Sequence, residues 1–368
     1  MLTFLPIRRL FVVLVVDSSS NTDMRPSFLT ATLFRLALLP LLLCAPSLSA
    51  QEAPSPGGPP PASDAPGQPL ADIDSPAIKV NVNLVNLFFS ARDKDGFITN
   101  LVKEDCTLLE DKSPQTIKNF TKEKNLPLTI GLLLDTSGSQ QNVLPLEQQS
   151  GATFLRNVLT PKDEAFLISF DINVDLLADY TNRASEIQHA LNKATINTGA
   201  GTGSVTGNGN PRGTLLFDAV YLAAHDKLSQ EAGRKILVLL TDGGDQGSQE
   251  TLKSSIEAAQ RANTIIYVIL IADHGFYGGG WNLADSGARD MDKLASETGG
   301  RVINVGNNGK RLEDAFQQIQ DELRTQYLAS YTPTNFKADG TYRKIDLSCG
   351  KSLKVQTRKG YYAISDMP

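Results

Sequence analysis

Ile130-Gly131-Leu132-Leu133-Leu134-Asp135-Thr136-Ser137-Gly138-Ser139 is the stretch from which the rest of the chain can be read. An apolar run of strand length stops abruptly in alternating oxygen-bearing side chains, Asp135, Ser137 and Ser139. A continuous Leu/Ile run is what a parallel strand covered on both faces requires. One carboxylate and two hydroxyls, two residues apart in a tight Gly-containing turn, can converge on one point. A hard cation such as Mg2+ prefers oxygen ligands of this kind, in octahedral geometry at about 2.0–2.1 Å. The same residues also suit a strand-to-helix loop in which Ser and Asp cap the next helix.

Outward from this stretch, strands and amphipathic helices alternate over residues 126–327. Strand-like runs fall at 128–134, 165–170, 174–178, 235–241, 264–271 and 301–305. Helical spacing covers 144–159, 184–194, 215–228, 249–262, 288–298 and 312–327. The runs at 165–170 and 174–178 leave no room for a crossover helix, so they form an antiparallel hairpin. The others allow right-handed βαβ crossovers. The expected fold class is α/β, a doubly wound, mostly parallel six-stranded sheet with helices on both faces.

On either side the period switches to two. Ile78, Val80, Val82 and Leu84 alternate with polar residues, and Asp93-Lys94-Asp95-Gly96 and Glu110-Asp111-Lys112-Ser113-Pro114 read as turns. Strand patterns return at 327–331, 342–347 and 353–358. Two incomplete β units, 78–125 and 328–368, are expected to form one small sandwich around the α/β domain, with separate hairpins as the alternative. Cys106 lies in one unit and Cys349 in the other, which predicts a disulfide across the whole insertion. The tyrosines Tyr327, Tyr331, Tyr342, Tyr361 and Tyr362 are expected to pack the sandwich.

Residues 1–50 contain an apolar run behind Met24, Arg25 and Arg35 that ends in Ala45-Pro46-Ser47-Leu48-Ser49-Ala50. That order of charge, apolar core and small residues predicts a secretory signal peptide, with Met24 as a candidate true start. Cys44 offers lipidation as an alternative to cleavage near Ser49 or Ala50. Residues 51–77 carry eight prolines with Ala, Gly and Ser, a composition that reads as a disordered spacer. The 368-residue chain has a formal net charge of −5 and no basic stripe, which argues against a nucleic-acid partner. Three cysteines without a CxxC pair, and three scattered histidines, argue against structural zinc. No phosphate-binding Gly-rich Lys motif is present, which argues against ATP.

Ligands of doubly wound sheets bind beyond the carboxyl ends of the strands. Three segments deliver oxygen donors there: Asp135-Thr136-Ser137-Gly138-Ser139, then Gly213-Thr214, then Thr241-Asp242-Gly243. In that order they resemble the metal-ion-dependent adhesion site of von Willebrand factor type A domains, and residues 126–327 resemble such a domain. The resemblance implies hydroxyl ligands from Ser137, Ser139 and Thr214, with Asp135 and Asp242 binding directly or through water. It implies Mg2+ or Mn2+ as the ion. Residues 78–363 further resemble exported von Willebrand-related proteins of Acidobacteria, a likeness that implies no enzymatic activity. This chain departs from the pattern in a Gly/Asn-rich insertion at 199–213 and a loop at 273–287.

The expected function is an exported adhesion or protein-binding module, at the periplasm, cell surface or outside the cell. Its cation would take an Asp or Glu carboxylate of a protein partner. Phe276, Tyr277 and Trp281 follow a strand end and are candidate contacts on the same rim, or else a loop folded on itself. Asp218 reads as a first-turn helix carboxylate, and Asp245 as a turn residue or a water-orienting group. A metal-assisted hydrolase is an alternative, with His274 and Asp245 as its only candidate acid or base. A structural envelope protein with a vestigial metal site is a further one.

Overall fold

The computed structural model describes residues 84–123, 126–197, 213–271 and 281–363. The signal peptide, the Pro-rich spacer, Ile78, Val80, Val82, most of the Gly/Asn-rich insertion, His274, Phe276 and Tyr277 lie outside these residues. The chain runs through β1 (Val85–Arg92), β2 (Cys106–Glu110), β3 (Ser113–Gln115), β4 (Ile117–Lys122), β5 (Leu128–Asp135) and α1 (Leu144–Val158). Next come β6 (Glu164–Phe170), β7 (Val174–Thr181), α2 (Ala184–Leu191), α3 (Leu216–Leu222), β8 (Arg234–Thr241), α4 (Leu252–Arg261) and β9 (Thr264–Leu270). It closes with α5 (Trp281–Thr298), β10 (Val302–Asn304), α6 (Gly309–Thr325), β11 (Tyr327–Tyr331), β12 (Tyr342–Cys349), β13 (Lys354–Thr357) and β14 (Gly360–Tyr362).

The central sheet has the order β10-β9-β8-β5-β6-β7. Only β7 runs antiparallel, as the short β6–β7 connection requires. Every residue of β5, β8 and β9 is buried, because helices cover both faces. Alternate side chains divide between two cores. Ile130, Leu132, Leu134, Val238 and Tyr267 meet Phe154 and Leu155 of α1 and Phe316 and Ile319 of α6. Leu133, Phe166, Leu237 and Val268 meet Val220 of α3, Ile256 of α4 and Leu294 of α5. Gly131 falls on that second face, where a Cβ would stand 2.4 Å from Phe166 Cζ and 2.5 Å from Leu237 Cδ2. Two aromatic and aliphatic side chains fill the space that a larger residue would need.

The flanking strands form two four-stranded sheets, β13-β1-β11-β4 and β14-β12-β2-β3. They pack face to face over Val85, Leu87, Phe89, Leu108, Ile117, Tyr331, Ile345 and Leu347, so the sandwich replaces separate hairpins. Asp111 and Lys112, with φ of 47° and 70°, make the tight left-handed turn that joins β2 to β3. Cys106 and Cys349 face one another across β2 and β12 and are joined by a disulfide spanning 243 residues of sequence. β4 and β11, the strands on either side of the α/β body, pair directly, with Lys122 opposite Tyr327.

Several expectations are corrected. Leu84, assigned to the buried phase of an alternating strand, is exposed, and the inward phase starts at Val85. From Leu87 onward β1 is buried on both faces, because Phe88 packs into the α/β core while Leu87 and Phe89 pack into the sandwich. Residues 281–287, expected in a loop, belong to α5, so Trp281 opens a helix. The helix expected at 215–228 is α only to Leu222 and continues as a wider π turn over Ala223–Leu228. Tyr342 and Tyr362 are not sandwich core. Tyr342 is exposed and meets Tyr362 edge-on, and Arg261 of α4 stacks 4.2 Å from the Tyr362 ring.

Candidate metal centre at the carboxyl edge of the sheet

Asp135 ends β5 and Thr241 ends β8, and the parallel register of these strands sets the two side by side. Thr241 donates its hydroxyl to Asp135 Oδ2 at 2.6 Å and accepts the Gly243 N–H at 3.0 Å. Asp135 Oδ1 accepts the Ser137 N–H at 3.0 Å, a local turn that folds the loop back over the strand end. Ser137 Oγ and Ser139 Oγ lie 3.1 Å apart. Asp242 Oδ1 accepts the Gly244 N–H at 3.0 Å, and Gly243 takes a φ of 87° that suits glycine at this turn. Asp135 is wholly buried, and Ser137, Ser139, Thr214 and Asp242 are at least nine-tenths buried.

Burial first, and then the Asp242 carboxylate, push the Asp135 carboxyl up to about 7, against hydrogen bonds from Ser137 and Thr241 that pull it down. Among the described residues, no lysine or arginine acts on it. Glu147, buried on the sheet-facing side of α1, is raised well above the usual carboxylate range by burial, then by Asp135 and Asp242. Neither oxygen of Glu147 and neither polar atom of the Gln140 amide has a hydrogen-bond partner among the described residues. Among the described residues no three His, Cys, Asp or Glu side chains gather closely enough to hold an ion by themselves. Any cation here therefore depends on hydroxyl donors as well as carboxylates.

Thr214 exchanges two backbone hydrogen bonds with Gln246, which ties its segment to the loop that carries Asp242. The next residue, Leu215, donates its N–H to the Asp171 carbonyl. Asp171, directly after β6, is the hub of this edge. Its carboxylate accepts Thr136 Oγ1 at 2.7 Å, Asn197 Nδ2 at 3.0 Å and the Asn173 N–H at 3.0 Å. Asp171 thus ties the loop after β5 to the end of β6 through its buried carboxylate, and the Thr214 segment to both through its backbone carbonyl. Sequence reasoning missed Asp171, although an Asp directly after a predicted strand was its visible signal. It also missed the hydroxyl of Thr241, and Glu147, whose signal was a charge on the apolar face of a helix.

Two carboxylates proposed for other tasks are structural. Asp245 Oδ1 accepts the Phe217 N–H at 3.2 Å and Ser248 Oγ at 2.6 Å, so it caps α3. Asp218, expected to act on its own helix dipole, instead accepts the Gln249 and Glu250 N–H groups at 3.1 and 2.7 Å. It therefore fixes the approach to α4.

A doubly wound sheet of this strand order, with these three loops at its carboxyl edge and antiparallel sheets flanking it, resembles a von Willebrand factor type A fold. No protein-family model and no curated protein matches the chain. Similar solved structures include the conserved hypothetical protein BatB from Bacteroides thetaiotaomicron, 17% identical. That match covers 54% of this chain and 100% of the other, with a TM-score of 0.39. The vWF domain of the type V pili tip protein Mfa5 from Porphyromonas gingivalis is 13% identical over 55% of this chain and 96% of that one, at a TM-score of 0.41. Proximal thread matrix protein 1 from the mussel byssus, with a zinc-occupied MIDAS motif, is 16% identical, at a TM-score of 0.43. The match covers 58% of this chain and 50% of that protein. Likenesses at this level carry no argument about what this chain binds.

Proposed function

We propose that the chain is an exported protein-binding module that works through a divalent cation at the carboxyl edge of the α/β sheet. Residues 126–327 would form the binding domain, and 78–125 with 328–368 the sandwich that carries it. The observation that supports this most is electrostatic. Asp135 is held by Thr241 and Ser137 in a wholly buried position beside Asp242, and no basic group among the described residues acts on it. Such a carboxylate is compensated by a bound cation or by a proton. Ser137, Ser139 and Thr214 would supply hydroxyls, and Asp135 and Asp242 would bind directly or through water. Mg2+ or Mn2+ in such an oxygen set, only partly satisfied by the protein, supplies an open position for an Asp or Glu carboxylate of the partner.

The partner's apolar contacts would come from the rim that includes Phe276, Tyr277 and Trp281. Hydrolysis is disfavoured because Asp245, one of its two candidate acid–base groups, is committed to capping α3. Export is supported by the leader-like pattern before residue 51 and by the Cys106–Cys349 bridge, since disulfides persist in oxidising compartments. The test is binding to immobilised envelope and matrix proteins in Mg2+, in EDTA, and with Asp135→Ala. Binding lost in the last two supports the reading. Binding that survives both, or turnover of a phosphate ester by the wild type alone, overturns it.

A further inference from the structure

Ser137, Gln140, Val143 and Glu147 follow one another at steps of three, three and four residues. Backbone hydrogen bonds join each to the one before: Gln140 N–H to Ser137 O, Val143 N–H to Gln140 O, and Glu147 N–H to Val143 O. Residues at this spacing share one face of a helix. Gln140 and Glu147 therefore stand on the side of the helical run that begins at Ser137. Long helical side chains lean back toward the helix N-terminus, which in α1 is the end nearest the Asp135 loop.

Both residues have no exposed surface, and all four of their polar side-chain atoms lack a hydrogen-bond partner among the described residues. On the buried face of α1, Glu147 sits in line with Leu144, Gly151 and Leu155, where an apolar residue would pack. A buried carboxylate without a partner is among the costlier features a fold can carry. The charges that act on it among the described residues are Asp135 and Asp242, both of the same sign. Packing does not explain a third acid here. A multiply charged cation a few ångströms away does.

We propose that Glu147, with Gln140 on the same face, is the outer carboxylate of the cation site, receiving a hydrogen bond from a cation-bound water on the buried side of the ion. The inference rests on the reading of that site given above and deepens it, by assigning a role to a residue outside the three loops. Glu147 is assigned as a positioning residue, since among the described residues no three acidic groups come within direct reach of one ion, so Glu147 does not join Asp135 and Asp242 as a third carboxylate ligand. Holding a water on the inner side would fix the orientation of the remaining positions, leaving the outer one for a partner. Outer-shell groups of this kind are worth about 10–100-fold in metal affinity.

The experiment is calorimetric titration of the full chain with Mg2+, repeated with Mn2+ followed by its EPR signal. It is run on wild type, Glu147→Gln and Glu147→Leu, with cation-free melting curves of all three. Both variants are expected to bind about tenfold or more weakly, while melting in EDTA at or above the wild-type temperature. A merely structural role for Glu147 would lower the cation-free melting temperature and leave affinity unchanged. If wild type and Glu147→Gln bind within twofold of each other, this inference is overturned and the site reading stands. If the wild type shows no saturable binding, both fall together.

Discussion

Thr241→Val removes one hydroxyl at the candidate site and preserves the shape of the side chain. The hydroxyl has two partners, Asp135 Oδ2 at 2.6 Å and the Gly243 N–H at 3.0 Å, and the residue is wholly buried. A hydrogen bond to a charged group contributes about 1.5–3 kcal/mol, and a buried donor left without an acceptor costs about 1–3 kcal/mol. The variant should therefore lose about 3–5 kcal/mol in cation-free protein at pH 8. Thr241→Ser keeps both bonds and loses one methyl, for about 1 kcal/mol. Denaturant midpoints followed by circular dichroism in EDTA give the order wild type, Ser, Val. Excess Mg2+ should recover less stability in the Val variant than in the Ser variant, because Asp135 has lost the group that orients it. Equal midpoints for Ser and Val would refute the argument, since they would show that the hydroxyl does not hold the Asp135 carboxylate.

Three further outcomes follow from the same structure. Reducing the Cys106–Cys349 bridge, or replacing both cysteines with serine, should cost about 5 kcal/mol through the unfolded chain, since the closed loop spans 243 residues; the oxidised and reduced denaturant midpoints measure it. In EDTA, stability should fall as pH rises from about 4 to about 7. Asp135 is held near 7 in the folded protein against 3.8 as its ordinary value, so the folded state keeps a proton that the unfolded chain has released. Between pH 5 and pH 8 this group removes about 2–3 kcal/mol, a slope that Asp135→Asn should lack. Gly131→Val should destabilise by about 1–3 kcal/mol or more, because its side chain would overlap Phe166 and Leu237. A midpoint unchanged from wild type would mean that this face of the strand tolerates added bulk.

The architecture was legible where residue pattern and burial coincide. The apolar runs of β5, β8 and β9 announce a sheet covered on both sides, and the three residues between β6 and β7 force an antiparallel turn. The Cys106–Cys349 pair was legible because each flank carried one cysteine. Legibility failed where tertiary packing overrides local pattern. Leu84 shares its face with Asn86, which is exposed, and the α/β body covers that face only from Phe88 onward. Trp281 sits among glycines that read as loop, yet the helix begins there. At the site, the three loops could be read because they follow strand ends. The network that steadies them could not, since Asp171 and Thr241 act through hydrogen-bond partners 35 and 106 residues away.

The bridge between β2 and β12 has a mechanical consequence. Tension applied between the chain ahead of β1 and the tail beyond β14 passes along covalent bonds from Cys106 straight to Cys349. Everything between those cysteines, the α/β body included, is bypassed and bears no load along its own backbone. A pull that unravels β1 or β14 would leave the carboxyl edge of the central sheet unstretched, and a partner seated there would be released by its own off-rate before its seat is deformed.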